Sequence, residues 1–174
     1  NETADRKPAR YRNRAVTDLF EPGSTIKPFV VAAALTAGLY RADSVIDTDP
    51  GFVEASGHKF RDHRSFGPLT LAGILQKSSN VGAIRLSMGL DPAKLEQLLL
   101  EVGFSSPTGS GLPGESSGVL PPAYSWRKVD QAALSFGYGL SVTPLQLARA
   151  YAILGNHGRE LIPRIVAAHP TPPR

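Results

Sequence analysis

Residues 24–35 read STIKPFVVAAAL and predict a helix. Pro28 falls in the first turn, where its missing N–H has no partner in any case, and Gly38 is a natural C-terminal stop. The helix would be apolar nearly all round, which is typical of a helix buried in the middle of a domain. Its first turn nevertheless carries Ser24 and Lys27, and a buried helix carries polar side chains only for a reason.

Ser24 and Lys27 are three residues apart, so both side chains would lie on one helical face, about one turn apart. A serine hydroxyl becomes a good nucleophile when a base takes its proton, and a lysine is such a base only when it is neutral. Neutrality at pH 7 costs an ordinary lysine about 4–5 kcal/mol, but burial and the positive end of the helix dipole both lower its pKa. The helix start would also offer the Ser24 N–H to an oxyanion. The pair alone also fits a capping serine and a lysine whose ammonium reaches solvent.

Turn and cap signals predict the elements beyond this helix. Residues 46–66 are rich in Gly and Asp and predict short strands and loops. Two short helices, 69–76 and 81–88, are expected on either side of a polar break at 77–80. The remaining predictions are helices over 93–102, 125–134 and 144–154, a surface loop over 105–122 and a strand over 161–167.

Helices predominate in this pattern, and the strands are too few to form a sheet beside them. The pattern therefore predicts a chain that is incomplete as a domain. Residues 1–14 predict a basic irregular arm, residues 15–168 a partial domain, and the Pro-rich residues 169–174 an unstructured tail.

The composition excludes several classes of function. The 174 residues contain no cysteine, which rules out disulfides and thiolate catalysis, and the four histidines lack metal-site spacing, so no metal or cofactor is expected. The net charge of +4 comes largely from the arm, which fits a solvated segment better than a nucleic-acid contact because interleaved aromatics are missing. No run approaches the roughly 18–20 apolar residues of a membrane span.

Three ordered blocks carry a more specific signal. The first is residues 12–28, RNRAVTDLFEPGSTIKP, and the second is QKSSNVG at residues 76–82. The third comprises residues 134–139 and 142–152 and is assigned to core and scaffold. All three resemble class B penicillin-binding proteins of the cell-division FtsI type, the first matching the segment around the active-site serine and the second the Ser-x-Asn motif. The resemblance spans nearly the whole chain, from Arg12 to Ile165.

The resemblance implies a fold, an activity and four site residues. The fold would be the helix-rich part of the penicilloyl-serine transferase fold, an α+β class, with most of the central antiparallel sheet outside this chain. Ser24 would attack the carbonyl between the two terminal D-alanines of a peptidoglycan stem peptide, and Lys27 would be the general base. Ser78 would relay a proton to the departing D-alanine nitrogen, and Asn80 would hold the substrate's amide carbonyl and steady Lys27.

The same resemblance implies partners and a location. The Ser24 acyl-enzyme would pass to the amine of a neighbouring stem peptide to form a cross-link, and β-lactams would acylate Ser24 as mimics of the D-Ala-D-Ala end. The partners would thus be stem peptides, β-lactams and divisome proteins, and not nucleic acid. The whole protein is expected at the inner membrane with its catalytic domain in the periplasm, held by an anchor outside this chain.

One family motif is missing from the sequence. A Lys-(Thr/Ser)-Gly triad normally closes the site opposite the serine, and none of the lysines after Ser24 is followed by Thr-Gly or Ser-Gly. The expectation is that the chain is a fragment of the domain, and that this polypeptide by itself is catalytically inactive because an oxyanion donor is lost with the triad.

Two other functions are compatible with Ser24 and Lys27. A serine β-lactamase or β-lactam sensor shares the fold and the Ser-x-x-Lys pair. A lactamase adds a base for the deacylating water, however, and Glu54, Glu101 and Glu115 stand in no recognisable setting for that role. The other alternative is a non-catalytic scaffold fragment that binds division partners without chemistry.

Overall fold

The computed structural model describes residues 12–164. Its α-helices are α1 Arg14–Thr17, α2 Lys27–Thr36, α3 Leu71–Lys77, α4 Asn80–Met88, α5 Pro92–Glu101, α6 Lys128–Leu134 and α7 Pro144–Gly155, and 3₁₀ turns span Gly23–Ile26 and Ala123–Ser125. The strands are β1 Val45–Asp47, β2 Phe52–Ala55, β3 His58–Arg61 and β4 Pro68–Thr70. Helices predominate over short strands, as the sequence predicts.

Helix α2 lies at the centre of the core, in agreement with its apolar sequence. Phe29, Val30 and Ala34 are fully buried, and the helix packs against α4 and α5. The Phe29 ring contacts two other rings edge-on, with centroid distances of 5.5 Å to Phe104 and 5.2 Å to Tyr151. Burial of one such aromatic side chain stabilises the fold by about 1.5–3 kcal/mol. This packing holds helix α2 rigidly in the core, and with it the residues at its start.

The start of this helix differs from the sequence prediction. Ser24 lies in the 3₁₀ turn Gly23–Ile26, and the α-helix begins only at Lys27. The reason is Pro28, which has no N–H to donate to the Ser24 carbonyl four residues earlier. The Lys27 N–H donates to that carbonyl instead, which is the tighter hydrogen bond of a 3₁₀ turn.

The described strands form two separate antiparallel pairs, β1 with β4 and β2 with β3. The β2–β3 hairpin turns at Ser56 and Gly57, whose φ angles of 49° and 78° suit the twist of a two-residue hairpin turn. Asp62 follows β3 directly, and its N–H donates to Gly51 O at 3.0 Å. Because the hairpin packs against α4, it carries Asp62 to the start of that helix.

Helices α3 and α4 meet at a sharp corner, as the polar break in the sequence predicts. Thr70 caps α3, its Oγ1 accepting the Gly73 N–H at 3.1 Å. Ser78 ends α3 in a left-handed conformation (φ 52°, ψ 39°), and Ser79 caps α4. Helix α4 begins at Asn80, one residue earlier than predicted, so the Asn80 side chain projects from a regular first turn.

The two helix starts that combine a cap with a proline are confirmed at Asp91 for α5 and Thr143 for α7. In α7 the Thr143 N–H donates to Gln146 Oε1, and the Gln146 N–H donates to Thr143 Oγ1. The long loop after α5 is fixed by the same glutamine, whose Nε2 donates to Ser106 O and Ser117 O at 2.7 Å each.

The helix predicted over 125–134 is wrong in its first part. A 3₁₀ turn ends at Ser125, and α6 begins only at Lys128. Arg127 between them is extended (φ −80°, ψ 166°), because its N–H and its guanidinium both donate to the Asp130 carboxylate and thereby cap α6.

Predictions at the two ends of the chain are tested only in part. No strand occupies residues 161–164, where the Leu161 carbonyl accepts from Arg149 Nε instead of from a strand, and the other residues of that prediction, 165–167, lie outside the described range. Arg14, assigned to the irregular arm, begins α1 because Asn13 caps it, and residues 1–11 and the tail at 169–174 also lie outside that range. Within residues 12–164, no helix has the length and apolar character to cross a bilayer.

Candidate active site

Lys27 is the buried centre of the site. The residue is 2% exposed and is the first residue of α2. Its Nζ donates three hydrogen bonds to the corner between α3 and α4, to Ser78 O at 2.5 Å, to Ser78 Oγ at 3.0 Å and to Asn80 Oδ1 at 2.8 Å. The fold thus joins three of the four residues predicted for the site, although Lys27 is 51 and 53 residues away from the other two.

Burial lowers the pKa of Lys27 from 10.5 to about 8, because the charged form loses its hydrating water. The Asp62 carboxylate opposes this change and raises the pKa. At pH 7 about one Lys27 in ten is then neutral, compared with fewer than about one in a thousand for an ordinary lysine. The direction of the change is the one that a serine-activating base requires.

Ser24 occupies the exposed side of the site. It lies in the 3₁₀ turn that leads into α2, one turn before the buried Lys27. The three hydrogen bonds of Lys27 in the described residues go to the corner at 78–80, and Ser24 takes none of them. An accessible hydroxyl one turn away from a buried amine is the arrangement that a nucleophile needs if a substrate is to reach it.

Backbone contacts from distant parts of the chain fix the turn that carries Ser24. The Gly23 N–H donates to Gly137 O at 3.1 Å, and a Cβ on Gly137 would lie 2.0 Å from Gly23 O. From α7, Tyr151 Oη donates to Thr25 O at 2.8 Å. The blocks at 134–139 and 142–152 therefore support the turn that carries Ser24, in line with their assignment as scaffold.

Ser78 and Asn80 face Lys27 for separate reasons. The left-handed conformation of Ser78 directs both its carbonyl and its hydroxyl at Nζ. The Asn80 side chain is held at both ends, because Oδ1 accepts from Lys27 and Nδ2 donates to Arg61 O at 3.2 Å. The amide is thus oriented with its oxygen towards the lysine.

Asp62 is a residue of the site that the sequence did not reveal. Its carboxylate accepts from Ser79 Oγ at 2.6 Å, from the Asn80 N–H at 2.5 Å and from the Val81 N–H at 3.2 Å. These partners are 17–19 residues away along the chain and are reached through β4 and α3. Asp62 belongs to none of the three sequence blocks, so no signal in the sequence marks it.

Comparisons of the sequence and of the fold with known proteins identify the family of this chain. The sequence matches the family described as the penicillin binding protein transpeptidase domain over residues 1–173. The peptidoglycan D,D-transpeptidase FtsI of Escherichia coli (strain K12) is 47% identical over 147 residues, which are 84% of this chain and 25% of that protein. The probable peptidoglycan D,D-transpeptidase PbpC of Pseudomonas aeruginosa is 40% identical over 163 residues, which are 94% of this chain and 29% of that protein. The chain thus spans about a quarter of the length of these curated relatives.

Two solved structures share the fold, each with a TM-score of 0.88. A peptidoglycan glycosyltransferase from Burkholderia ambifaria is 39% identical and covers 92% of this chain, which covers 51% of it. The transpeptidase domain of penicillin-binding protein 3 from Burkholderia pseudomallei is 38% identical and covers 91% of this chain, which covers 48% of it. The predicted fold class, part of an α+β transpeptidase domain, is confirmed. With its sequence blocks, its fold and its relatives in agreement, the chain belongs to the family of penicillin-binding protein transpeptidase domains.

Proposed function

We propose that the whole protein is a serine-type peptidoglycan D,D-transpeptidase and that Ser24, Lys27, Ser78 and Asn80 carry its chemistry. The observation that supports this most is the buried Lys27, whose Nζ gathers three oxygens of Ser78 and Asn80 one turn behind an exposed Ser24. Similarity to proteins named peptidoglycan D,D-transpeptidases supports the same activity.

Lys27 is the general base in this proposal. Its ammonium has three protons and three acceptors, so every proton of the charged form is bound. When one proton leaves, the Ser78 carbonyl and the Asn80 amide oxygen keep the other two, and Nζ gains a lone pair. The lone pair takes the Ser24 proton, and the Ser78 hydroxyl, which can both donate and accept, relays it onward.

Acylation needs no reacting group on the protein beyond these side chains. Ser24 Oγ bonds to the carbonyl carbon of the penultimate D-alanine, and the bond from that carbon to the terminal D-alanine nitrogen breaks. The Ser24 proton ends on the departing nitrogen after passing through Lys27 and Ser78. In the second step the amine of another stem peptide attacks the Ser24 ester, a cross-link forms, and the proton lost by the amine returns to Ser24.

The finer assignment is septal cell-wall synthesis during cell division. It is supported by the FtsI-type resemblance of residues 12–28 and by the identity to FtsI over 84% of the chain. The catalytic domain would act in the periplasm, in a protein that is held at the inner membrane and works with divisome proteins. β-Lactams would acylate Ser24 because their strained amide occupies the place of the D-Ala-D-Ala amide.

A β-lactamase is less well supported than a transpeptidase. The three glutamates considered as a base for the deacylating water are engaged elsewhere. Glu54 pairs with Lys59 at 3.7 Å, and Glu101 accepts from Gln97 at 2.8 Å. Glu115 accepts the Thr108 N–H at 2.6 Å within the long loop.

A fluorescent penicillin tests the proposal. The whole protein is expected to form one covalent adduct, located on Ser24 by intact mass and peptide fragmentation, that persists for much longer than a lactamase turnover. Folded protein that forms no adduct would contradict the proposal and favour a scaffold, and rapid loss of the adduct would favour a lactamase. The same assay on the 174-residue chain tests the prediction that this polypeptide by itself is inactive.

The rate of this labelling is expected to follow the protonation of Lys27. Because the base must be neutral and its pKa is about 8, the second-order rate constant should rise about tenfold per pH unit up to pH 8 and level off above it. Stopped-flow fluorescence over a range of about four pH units centred near the pKa measures the profile. A rate that stays flat through pH 8, in protein that remains folded, would remove Lys27 from the role of base.

A further inference from the structure

The Asp62 carboxylate lies where the β2–β3 hairpin meets the start of α4. Its Oδ1 accepts the N–H groups of Asn80 and Val81, and its Oδ2 accepts the hydroxyl of Ser79. Ser79 is fully buried, and its Oγ in turn accepts the Gly82 N–H at 2.9 Å. The carboxylate therefore satisfies two of the N–H groups that the first turn of a helix leaves without partners, and the Ser79 hydroxyl that it holds satisfies a third.

These contacts continue directly into the hydrogen bonds of Lys27. Asn80 belongs to both sets, because its N–H donates to Asp62 at 2.5 Å while its Oδ1 accepts from Lys27 at 2.8 Å. Ser79, which Asp62 also holds, is the residue between Ser78 and Asn80. Asp62 thus links the corner at residues 78–80 to the β2–β3 hairpin, and this link helps to fix the position of the corner relative to Lys27.

We infer that Asp62 is a positioning residue that holds Ser79 and Asn80 against the hairpin, so that Ser78 and Asn80 present their three oxygens to Lys27. The inference rests on the proposed role of Lys27 as a base, although the contacts themselves do not. Asp62 acts through the corner and takes no bond-forming part in the reaction.

Asp62 also supplies the charge that acts on Lys27. The titratable groups on the elements around the corner are His58, Lys59, Arg61, Asp62, Lys77 and Arg85. Among them it is Asp62 whose charge shifts the lysine, raising its pKa against the effect of burial. The two effects are separable by substitution. Asparagine has the same shape and keeps an acceptor for the α4 N–H groups but removes the charge, whereas alanine removes both.

The experiment compares Asp62→Asn and Asp62→Ala in the whole protein. Asp91→Ala is the matched control, because Asp91 caps α5 by accepting the Ala93 N–H at 3.0 Å and takes none of the Lys27 hydrogen bonds described above. Hydrogen exchange with mass spectrometry follows the amides at 78–82. Competitive acetylation with acetic anhydride across pH follows the titration midpoint of Lys27, and fluorescent penicillin gives the rate of acylation.

In Asp62→Ala, exchange at the start of α4 is expected to rise about tenfold or more, the effect of losing hydrogen bonds to a charged group. Asp62→Ala loses the charge just as Asp62→Asn does, so the Lys27 midpoints of these two variants are compared with each other. The midpoint should be higher in Asp62→Ala, because the loosened corner admits water, and acylation at pH 7 should be slower in that variant. In Asp62→Asn the amides should stay protected and the midpoint should fall, because the opposing charge is gone.

Wild-type exchange in Asp62→Ala would overturn the inference, and so would a Lys27 midpoint in that variant equal to or below the midpoint in Asp62→Asn. An equal change in Asp91→Ala would overturn it as well, since the effect would then belong to any lost helix cap. If penicillin reacts with none of the proteins, the proposed function fails, while the exchange and titration data still decide the role of Asp62.

Discussion

Replacement of Lys27 by arginine is expected to slow the reaction of Ser24 with penicillin by about 10²–10⁴-fold, the range that a general base contributes. Arginine keeps the positive charge and has donors for Ser78 O and Asn80 Oδ1, but its guanidinium does not lose a proton in proteins. The variant therefore removes the base while retaining a cation in the same place. The second-order rate constant for acylation of the whole protein measures the effect.

Lys77→Arg is the matched control, because Lys77 is an exposed lysine at the end of α3 beside the same corner, and its labelling rate should stay within about twofold of wild type. Raising the pH should not rescue Lys27→Arg, since arginine has a pKa above about 12. Urea unfolding of both variants accounts for any effect of the larger guanidinium in a buried place. A Lys27→Arg rate within tenfold of wild type would refute the role of Lys27 as base.

The second large effect is expected from Gly137→Ala. Gly137 has a φ of 91°, and an added Cβ would lie 2.0 Å from Gly23 O and 2.4 Å from Gly23 N, which are backbone atoms. The strained φ and the overlap together should lower the free energy of unfolding by about 2–5 kcal/mol. The turn that carries Ser24 must also shift, and a misplacement of about 1 Å costs a catalytic group about 100-fold in rate.

Gly38→Ala separates the two causes. Gly38 also has a positive φ, 70°, but an added Cβ there would meet no atom within 4 Å, and its N–H donates to Leu35 O after the end of α2, not to the turn that carries Ser24. It should therefore cost only the backbone strain, about 1–2 kcal/mol, and leave the acylation rate near wild type. Chemical unfolding and penicillin labelling of both variants give the comparison. Equal losses of acylation in the two variants would show that the close contact with Gly23 does not control the position of Ser24.

Local features of this fold were open to prediction from the sequence. Helix α2 follows from an unbroken apolar run, and the starts of α5 and α7 follow from Asp91 and Thr143, each standing before a proline. The same kind of local information predicted a corner between α3 and α4. The exact helix starts were missed where one hydrogen bond decides them, as at Pro28, whose missing N–H converts the turn at Ser24 from α to 3₁₀.

The sequence predicted only those site residues that belong to a recognisable motif. Ser24 and Lys27 are one turn apart in the sequence itself, and the pairing of Lys27 with Ser78 and Asn80 followed from the family resemblance. The role of Asp62 could not be predicted from the sequence. Its place at the start of α4 depends on the register of the β2–β3 hairpin and on the path of β4 and α3. Periodicity and cap signals do not encode the distance between two such elements.

The support of the Ser24 turn has a consequence for the order of events during synthesis. The bond between Glu21 and the Gly139 N–H spans 118 residues, and the bond between Thr25 and Tyr151 spans 126 residues. A ribosome adding about 5–20 residues per second needs roughly 6–25 s to make that length of chain. Through this interval Ser24 has been synthesised while its turn still lacks the contacts of Gly139 and Tyr151, so the turn can be fixed in place only after Tyr151 has been added to the chain.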